Sequence, residues 1–177
     1  LAARRDLITP GRAMPKPAAG QPPGSERRAM GEDSTLEIAG TSHLSVVDGL
    51  GNAVAMTTTV EAAFGSRVWA AGFLLNNQLT DFALRPADDD GRRAANAAGP
   101  GKRPRSSMAP TMVFDPQGKL DSVLGSPGGS RIILYVAKAL IAMLDWQLDP
   151  QAAAALPNFG SLGGAFEAEL SATGIMN

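Results

Sequence analysis

The chain has no cysteine among its 177 residues, which excludes a disulfide framework and any metal site built on thiolates. Aromatic residues make up only 5% of the sequence, and the basic residues are scattered rather than grouped in a stripe with aromatic ones. Nucleic-acid binding is therefore not indicated. The longest apolar run, residues 132–144, contains Lys138 and is too short to cross a bilayer.

The composition that remains is typical of a folded globular domain. Apolar residues make up 44% of the chain, the net charge is −1, and 177 residues suffice for one domain with a core. The chain begins at Leu1 without a signal-peptide pattern, so we expect the protein's own N-terminus to lie upstream. Prolines and glycines alternate through residues 10–33, which is typical of an extended, mobile connector. A plain linker between two domains fits that composition equally well.

Two stretches rich in β-branched residues, 41–48 and 52–59, flank a short glycine-containing connection and predict a β-hairpin. Antiparallel pairing would bring Thr59 back beside Thr41, although the two residues are far apart along the chain. A threonine triplet at residues 57–59 is also simply good strand material.

The other segments predict shorter elements. Residues 71–75 predict a short apolar strand, residues 112–124 a second hairpin, and residues 131–146 a helix because their apolar positions recur at helical spacing. Residues 85–102 are polar and predict a solvated loop. Their Asp88–Asp90 triplet lacks the ligand spacing of a calcium loop.

Thr41 follows Gly40 at the start of the first predicted strand, and a catalytic interpretation depends on it. A threonine hydroxyl is a weak nucleophile that needs a base, and the α-amino group of an N-terminal threonine can serve because its pKa is about 7.7–8.0. Cleavage after Gly40 would therefore create the nucleophile and its base in one step. A Gly–Thr pair alone also describes any loop that enters a strand, so the interpretation needs further support.

Four separated blocks of sequence supply that support, namely residues 41–48, 51–59, 74–82, and 102–108 with 125–130. In this order they resemble the small-subunit half of the γ-glutamyltransferase (γ-glutamyl transpeptidase) family, and the resemblance runs from about residue 7 to about residue 159. The family belongs to the N-terminal-nucleophile hydrolases. The resemblance implies an α+β fold, the αββα four-layer sandwich with antiparallel inner sheets, incomplete in this chain.

The same resemblance implies a division of the chain at the cleavage site. Residues 1–40 correspond to the end of the large-subunit region with its Pro/Gly-rich linker. Residues 41–177 correspond to the small-subunit catalytic region, which is truncated or divergent after Pro157.

The implied activity is that of a γ-glutamyltransferase with glutathione hydrolase activity, after autoproteolysis between Gly40 and Thr41. The enzyme would form a γ-glutamyl ester on Thr41 and pass it to water or to an amino-acid or peptide acceptor, with no metal or cofactor. Glutathione and other γ-glutamyl compounds are the expected substrates. The large-subunit region is an expected partner, since in the family its arginine pairs with the substrate α-carboxylate. Family members are commonly periplasmic or secreted, and we expect the same here.

The resemblance also assigns residues to the substrate. Thr59 would hydrogen-bond the nucleophilic oxygen or amine, and Glu61 would contact the amino-acid end of the substrate. Gln78 and Asp81 would bind the α-ammonium, whose three donors suit an amide oxygen and a carboxylate.

Ser106 and Ser107 would hydrogen-bond the α-carboxylate in the same scheme. Gly128 and Gly129 open onto the predicted helix, where backbone N–H groups point outward. The lysine of a phosphate-binding loop is absent, so these N–H groups suit an oxyanion hole instead.

Two alternative functions and the role of one residue stay open at this point. Acylases of related fold act on glutaryl side chains, which lack the α-amino group, so Gln78 and Asp81 favour a γ-glutamyl substrate. A non-catalytic homologue could keep the pocket and never be cut. His43, the single histidine, would share a strand face with Thr41; because the amine already provides the base, a structural role is favoured over a catalytic one.

Overall fold

The computed structural model describes residues 2–12, 14, 18–24, 29–33, 35 and 40–169. Parts of the predicted connector, and the end of the C-terminal region, lie outside the described residues. In chain order the elements are α1 (Ala2–Arg5), β1 (Thr41–Val47), β2 (Ala53–Thr59), β3 (Trp69–Ala70), β4 (Phe73–Leu74), a 3₁₀ turn (Gln78–Asp81), β5 (Thr111–Phe114), β6 (Leu120–Leu124), a second 3₁₀ turn (Gly129–Arg131), α2 (Ile132–Leu144), α3 (Pro150–Ala155), β7 (Phe159–Gly160) and β8 (Glu167–Ala168).

The chain divides into two compact units, one made of Leu1–Ala29 with Pro157–Asn177 and the other of Met30–Leu156. In the first unit, β7 and β8 pair antiparallel, and the rings of Phe159 and Phe166 lie 6.2 Å apart between centroids. The second unit contains every residue that the sequence assigns to the site. The boundary predicted at Gly40 is that of a cleavage site and not that of a compact unit. It stays a prediction.

The predicted first hairpin is confirmed. Strands β1 and β2 pair antiparallel with Thr41 opposite Thr59 and His43 opposite Thr57. The carboxylate of Asp48 fixes the turn, because it accepts hydrogen bonds from the backbone N–H groups of Leu50 and Asn52, each at 2.9 Å. The Asn52 side chain donates to the same carboxylate and is the main reason that the pKa of Asp48 lies below its ordinary value. A side chain at the turn thus sets the register that places Thr59 beside Thr41.

The second hairpin is also present, and it lies against the first. Strands β5 and β6 pair antiparallel around a turn in which Gly118 N–H donates to the carbonyl of Asp115 at 2.9 Å. Strand β6 contacts both β1 and β2. Within the described residues each sheet has two strands. The predicted strand at residues 71–75 is shorter than expected, since only Phe73–Leu74 pairs, with β3.

The helix predicted for residues 131–146 spans Ile132–Leu144 and packs on α3. Its buried side chains include Ile132, Val136 and Ala142, and α3 adds Ala153. Lys138 is buried on the same helix and donates through Nζ to the carbonyl of Leu156 at 2.9 Å. A buried ammonium needs such an acceptor. Among the described residues no helix is long and apolar enough to span a membrane.

Two loop predictions need correction. The end of the predicted mobile connector is docked, because Gly31 N–H donates to the carbonyl of Arg93 at 2.9 Å and Gly31 bridges to Ala94. The predicted solvated loop at residues 85–102 is also partly packed, since Ala94 and Ala97 are fully buried. The composition of both segments predicts irregular backbone. It does not predict that the two segments hydrogen-bond to each other.

Candidate active site

The residues that the sequence assigns to the site come from distant parts of the chain and meet around one small cavity. Its volume is about 20 Å³, which is room for little more than a water molecule. The lining residues are Thr41, Thr59, Glu61, Gln78, Asp81, Arg105, Ser106, Ser107, Met108, Gly129 and Ile132. Of the predicted set, the cavity lining includes all but Gly40 and Gly128, which adjoin Thr41 and Gly129 in the chain. Their roles stay predictions.

The hydroxyl of Thr59 lies on the peptide bond that precedes Thr41. It donates to the carbonyl oxygen of Gly40 at 3.2 Å and accepts from the N–H of Glu61 at 2.8 Å. The sequence interpretation placed this hydroxyl on the nucleophilic oxygen or amine. In the uncut chain it lies on the carbonyl that the nucleophile would attack.

The backbone around Gly40 is tightly packed. A Cβ on Gly40 would lie 2.1 Å from the carbonyl oxygen of Glu61, so only glycine fits without movement of the backbone. Glu61 itself is buried and has a φ of 75°, in the left-handed region that non-glycine residues rarely adopt. Such strain persists only where the surrounding structure enforces it, and it occurs often at functional sites.

We expect Gly40→Ala to slow cleavage of the Gly40–Thr41 bond at least about tenfold, since overpacking costs on the order of 1–3 kcal/mol and would displace the Gly40 carbonyl from Thr59. Intact mass recorded over time measures the cleavage. Gly49→Ala is the matched control, because nothing lies within 4 Å of the corresponding Cβ. Equal cleavage by the two variants would contradict the packing argument.

The 3₁₀ turn that carries Gln78 and Asp81 is anchored to the end of β2. Asn77 makes both anchors, because its N–H donates to the carbonyl of Val60 at 3.2 Å and its Oδ1 accepts from the N–H of Ala62 at 3.0 Å. Asp81 is buried, and Gln78 Nε2 donates to its Oδ2. This donation leaves the amide oxygen of Gln78 as an acceptor. An amide oxygen and a carboxylate thus lie side by side at the cavity.

Sequence reasoning missed Asn96 and Arg105, which tie the site together. Asn96 Nδ2 donates to the carbonyl of Asp81 at 2.6 Å and to Oδ2 of Asp33 at 3.0 Å, and Asn96 Oδ1 accepts from Arg105 N–H at 2.9 Å. Arg105 precedes Ser106 and lines the cavity with it. The position of Arg105 inside a recognised block was an available signal, whereas Asn96 lies in a stretch with no motif.

Asp33 is the charged partner of this network. Burial alone would raise its pKa, but hydrogen bonds from Thr35 and Asn96 and the nearby guanidinium of Arg105 outweigh burial and hold the pKa below its ordinary value of 3.8. The carboxylate is therefore charged at neutral pH.

Both glycines of the loop before α2 have positive φ, which glycine adopts readily. Gly128 has a φ of 139° and Gly129 a φ of 56°. Gly129 lines the cavity, and a Cβ on Gly128 would lie 2.7 Å from the ring of Tyr135. Gly129 thus lines the same cavity as Thr41, and the oxyanion hole stays a prediction.

His43 is half-buried, and both of its ring nitrogens have polar neighbours. Its Nδ1 lies 2.8 Å from Thr57 Oγ1 and its Nε2 lies 3.1 Å from Ser45 Oγ. A Cβ on Gly125 would lie 2.2 Å from the imidazole ring, so the ring packs against the backbone where the glycine loop begins. Both ring nitrogens have partners other than Thr41. This arrangement favours the structural interpretation of His43.

Carboxylates of the Asp88–Asp90 triplet accept hydrogen bonds from an arginine of the same loop. Asp88 Oδ2 accepts from Arg92 Nε at 3.0 Å, and Asp90 Oδ2 from Arg92 Nη2 at 2.5 Å. Over the described part of the chain, no group of three or more histidine, aspartate or glutamate residues is placed to hold a metal ion.

Comparisons with known proteins identify the family of the chain. The family model for gamma-glutamyltranspeptidase matches residues 1–169, beyond the point at which the sequence resemblance fades. The glutathione hydrolase proenzyme of Escherichia coli is 44% identical over 143 residues, which is 77% of this chain and 24% of that protein. The glutathione hydrolase proenzyme of Bacillus subtilis is 36% identical over 161 residues, which is 87% of this chain and 26% of that protein.

A solved structure gives the same result. Gamma-glutamyltranspeptidase from Pseudomonas nitroreducens, complexed with L-DON, superposes with a TM-score of 0.60 at 41% identity, covering 67% of this chain and 64% of that chain. The chain spans about a quarter of the length of the curated relatives named above. With a family match over nearly its whole length and a shared fold, the chain belongs to the γ-glutamyltranspeptidase family.

Proposed function

We propose that this chain carries the nucleophile of a γ-glutamyltransferase with glutathione hydrolase activity, activated by its own cleavage between Gly40 and Thr41. The observation that carries the proposal is the hydrogen bond from the Thr59 hydroxyl to the Gly40 carbonyl, next to Thr41. This donor lies where negative charge would develop if the Thr41 hydroxyl attacked that carbonyl. The relatives' name, glutathione hydrolase proenzyme, supports both parts of the proposal.

In the first reaction, the Thr41 oxygen attacks the carbonyl carbon of Gly40 and its proton passes to the departing nitrogen. The C–N bond breaks, and an ester joins Gly40 to the Thr41 oxygen. Water then hydrolyses the ester, so Gly40 gains a carboxylate and Thr41 keeps its hydroxyl and a free α-amine. The amine is the base that the hydroxyl needs for the next reaction.

The cavity beside Thr41 is small in the uncut chain. Ligand cavities commonly have about 300–1,000 Å³, and this one measures about 20 Å³. We expect cleavage, which frees Gly40 from Thr41, to widen it before a γ-glutamyl compound binds.

In the second reaction, the Thr41 oxygen attacks the γ-carbonyl carbon of the substrate while the α-amine accepts the hydroxyl proton. That proton passes to the leaving amine, and a γ-glutamyl ester forms on Thr41. Water or an acceptor amine then releases the γ-glutamyl group. N–H groups of Gly128 and Gly129 stabilise the oxyanion in both half-reactions.

The remaining roles concern the residues that bind the amino-acid end of the substrate. The α-ammonium donates to Gln78 and Asp81, with Glu61 beside them, and the α-carboxylate accepts from Ser106 and Ser107. All five residues line the cavity with Thr41, which supports these roles.

The architecture proposed for the complete protein is the four-layer αββα sandwich. Two features support it, namely the antiparallel pairing of the hairpins and the likeness to solved family members. An upstream large-subunit region would supply the arginine for the substrate α-carboxylate. Supplying the upstream region of the Escherichia coli relative in trans tests that partnership.

Substrate choice is tested with Asp81→Asn, assayed with that upstream region present. We expect kcat/KM for a γ-glutamyl anilide to fall about 10- to 100-fold, since a hydrogen bond to a charged group contributes about 1.5–3 kcal/mol. The rate with the corresponding glutaryl anilide, which has no ammonium, should stay unchanged. Release of p-nitroaniline measures both rates.

Two results would count against the γ-glutamyl assignment. The variant could lose both activities equally, or the parent protein could prefer the glutaryl anilide. N-terminal sequencing tests the activation step separately, because a matured protein must yield a chain that begins at Thr41. A protein that stays uncut is the non-catalytic homologue described as an alternative above.

A further inference from the structure

Two residues upstream of the cleavage site, Asp33 and Thr35, are held by a residue of the site itself. Arg105 lines the cavity with Thr41, and its Nη1 lies 3.5 Å from Oδ2 of Asp33. Its Nη2 donates to the carbonyl of Thr35 at 3.1 Å. One guanidinium thus holds two points of the upstream segment.

The Asp33–Arg105 pair is much less exposed to solvent than a surface ion pair of the same chain. The side chain of Asp33 is only 14% exposed and that of Arg105 35%, whereas the partners of the Arg85–Asp89 pair are 69% and 87% exposed. Asn96 donates to the same oxygen of Asp33. Partly buried, charge-assisted hydrogen bonds contribute more than exposed ion pairs do.

The backbone of the segment is docked as well. Gly31 bridges to Ala94, and a Cβ on Gly31 would lie 2.3 Å from the carbonyl oxygen of Arg92. The hydroxyl of Thr35 accepts from the N–H of Leu84 at 3.1 Å. Gly31, Asp33 and Thr35 are therefore each held by the loop that leads from Asp81 to Ser106, and we call this docking site the seat.

We propose that Arg105 is a positioning residue for self-cleavage, which seats the upstream segment through Asp33 and Thr35 and so holds the Gly40–Thr41 bond against Thr59. The inference rests on the proposed function. Gly40 is held from the downstream side by the Thr59 hydroxyl. Arg105 holds the chain a few residues upstream of Gly40, through Asp33 and Thr35. Fixing both ends lowers the conformational freedom of the scissile bond, which is the entropic part of an intramolecular attack.

The test follows the cleavage rate of the chain after cell-free synthesis, by intact mass over time. Asp33→Ala and Arg105→Ala should each slow cleavage about tenfold, as expected for a charged hydrogen-bonded pair. The double variant should be no slower than either single one, because the two residues act as a pair. The charge swap Asp33→Arg with Arg105→Asp should recover part of the rate. Asp89→Ala, which breaks the exposed pair with Arg85, is the matched control and should cleave at the parent rate.

A second measurement tests the seat without relying on cleavage. In the Thr41→Ala background, where the proposed nucleophile is absent, Asp33→Ala should speed hydrogen exchange at the Gly31 amide. Parent-like cleavage in both single variants, or equal slowing by Asp89→Ala, would overturn the proposal. If the parent protein is never cut while its Gly31 amide is protected in an Asp33-dependent way, the proposed function fails and the seat stands.

Discussion

Thr41→Ala should leave the chain uncut and without γ-glutamyl transfer. The substitution removes the oxygen that attacks Gly40 and the oxygen that carries the acyl group, and removal of a catalytic nucleophile costs on the order of 10⁶-fold in rate. Intact mass and p-nitroaniline release measure the two losses. The side chain of Thr41 is partly exposed on β1, so truncation creates no large cavity and should leave the fold intact.

Two companion variants make this result specific. Thr41→Ser keeps a hydroxyl and an α-amine and should keep both reactions at a reduced rate. Thr58→Ala removes a threonine from the paired strand, where Thr58 lies opposite Ser42 and is exposed, and should behave as the parent protein. Cleavage in Thr41→Ala at the Gly40–Thr41 bond would refute the proposed mechanism.

The parts of the fold that the sequence predicted are those governed by local rules. Alternating β-branched residues with a glycine-containing turn predicted the β1–β2 hairpin, and its register then brought Thr59 to Thr41. Apolar positions at helical spacing predicted α2 to within two residues at either end. Each of these signals is carried by neighbouring residues, which is why one sequence was sufficient.

The residues that line the cavity follow from the family resemblance and not from any local sequence pattern. No spacing rule relates Gln78 or Ser106 to Thr41, and yet the three line one cavity. Asn96 and Arg105 were missed because their roles depend on partners up to 72 residues away, as with Arg105 and Asp33. The side-chain amide of Asn96 hydrogen-bonds to three separate segments, and such contacts produce no periodic pattern in the sequence.

The docked upstream segment shows the limit of composition as a guide. Proline and glycine make regular structure unfavourable in residues 10–33, and such a composition predicts a mobile segment. Irregular backbone can still be held by specific hydrogen bonds, as Gly31 is by Arg93. Whether a segment is regular and whether it is fixed are separate questions.

Thr59→Val should slow self-cleavage by on the order of 10²–10³-fold, the usual cost of losing one donor to a developing oxyanion. Valine keeps the shape and β-branching of threonine, so the change isolates the hydroxyl. Thr59→Ser keeps the donor and should stay within a few-fold of the parent rate. Intact mass over time measures the rates, and thermal melting of the uncut proteins shows whether the fold is retained.

The same hydroxyl also accepts from the N–H of Glu61, whose backbone is strained, so a slow variant could reflect a displaced loop rather than a lost donor. The two causes predict different behaviour. Valine removes the acceptor of the Glu61 N–H in either case, so the reporter is the Ala62 amide, which donates to Oδ1 of Asn77. A lost donor slows the chemical step and leaves exchange of the Ala62 amide near the parent value, whereas a displaced loop speeds that exchange. Parent-like cleavage in Thr59→Val would mean that the bond to the Gly40 carbonyl, however well placed, does not stabilise the transition state of cleavage.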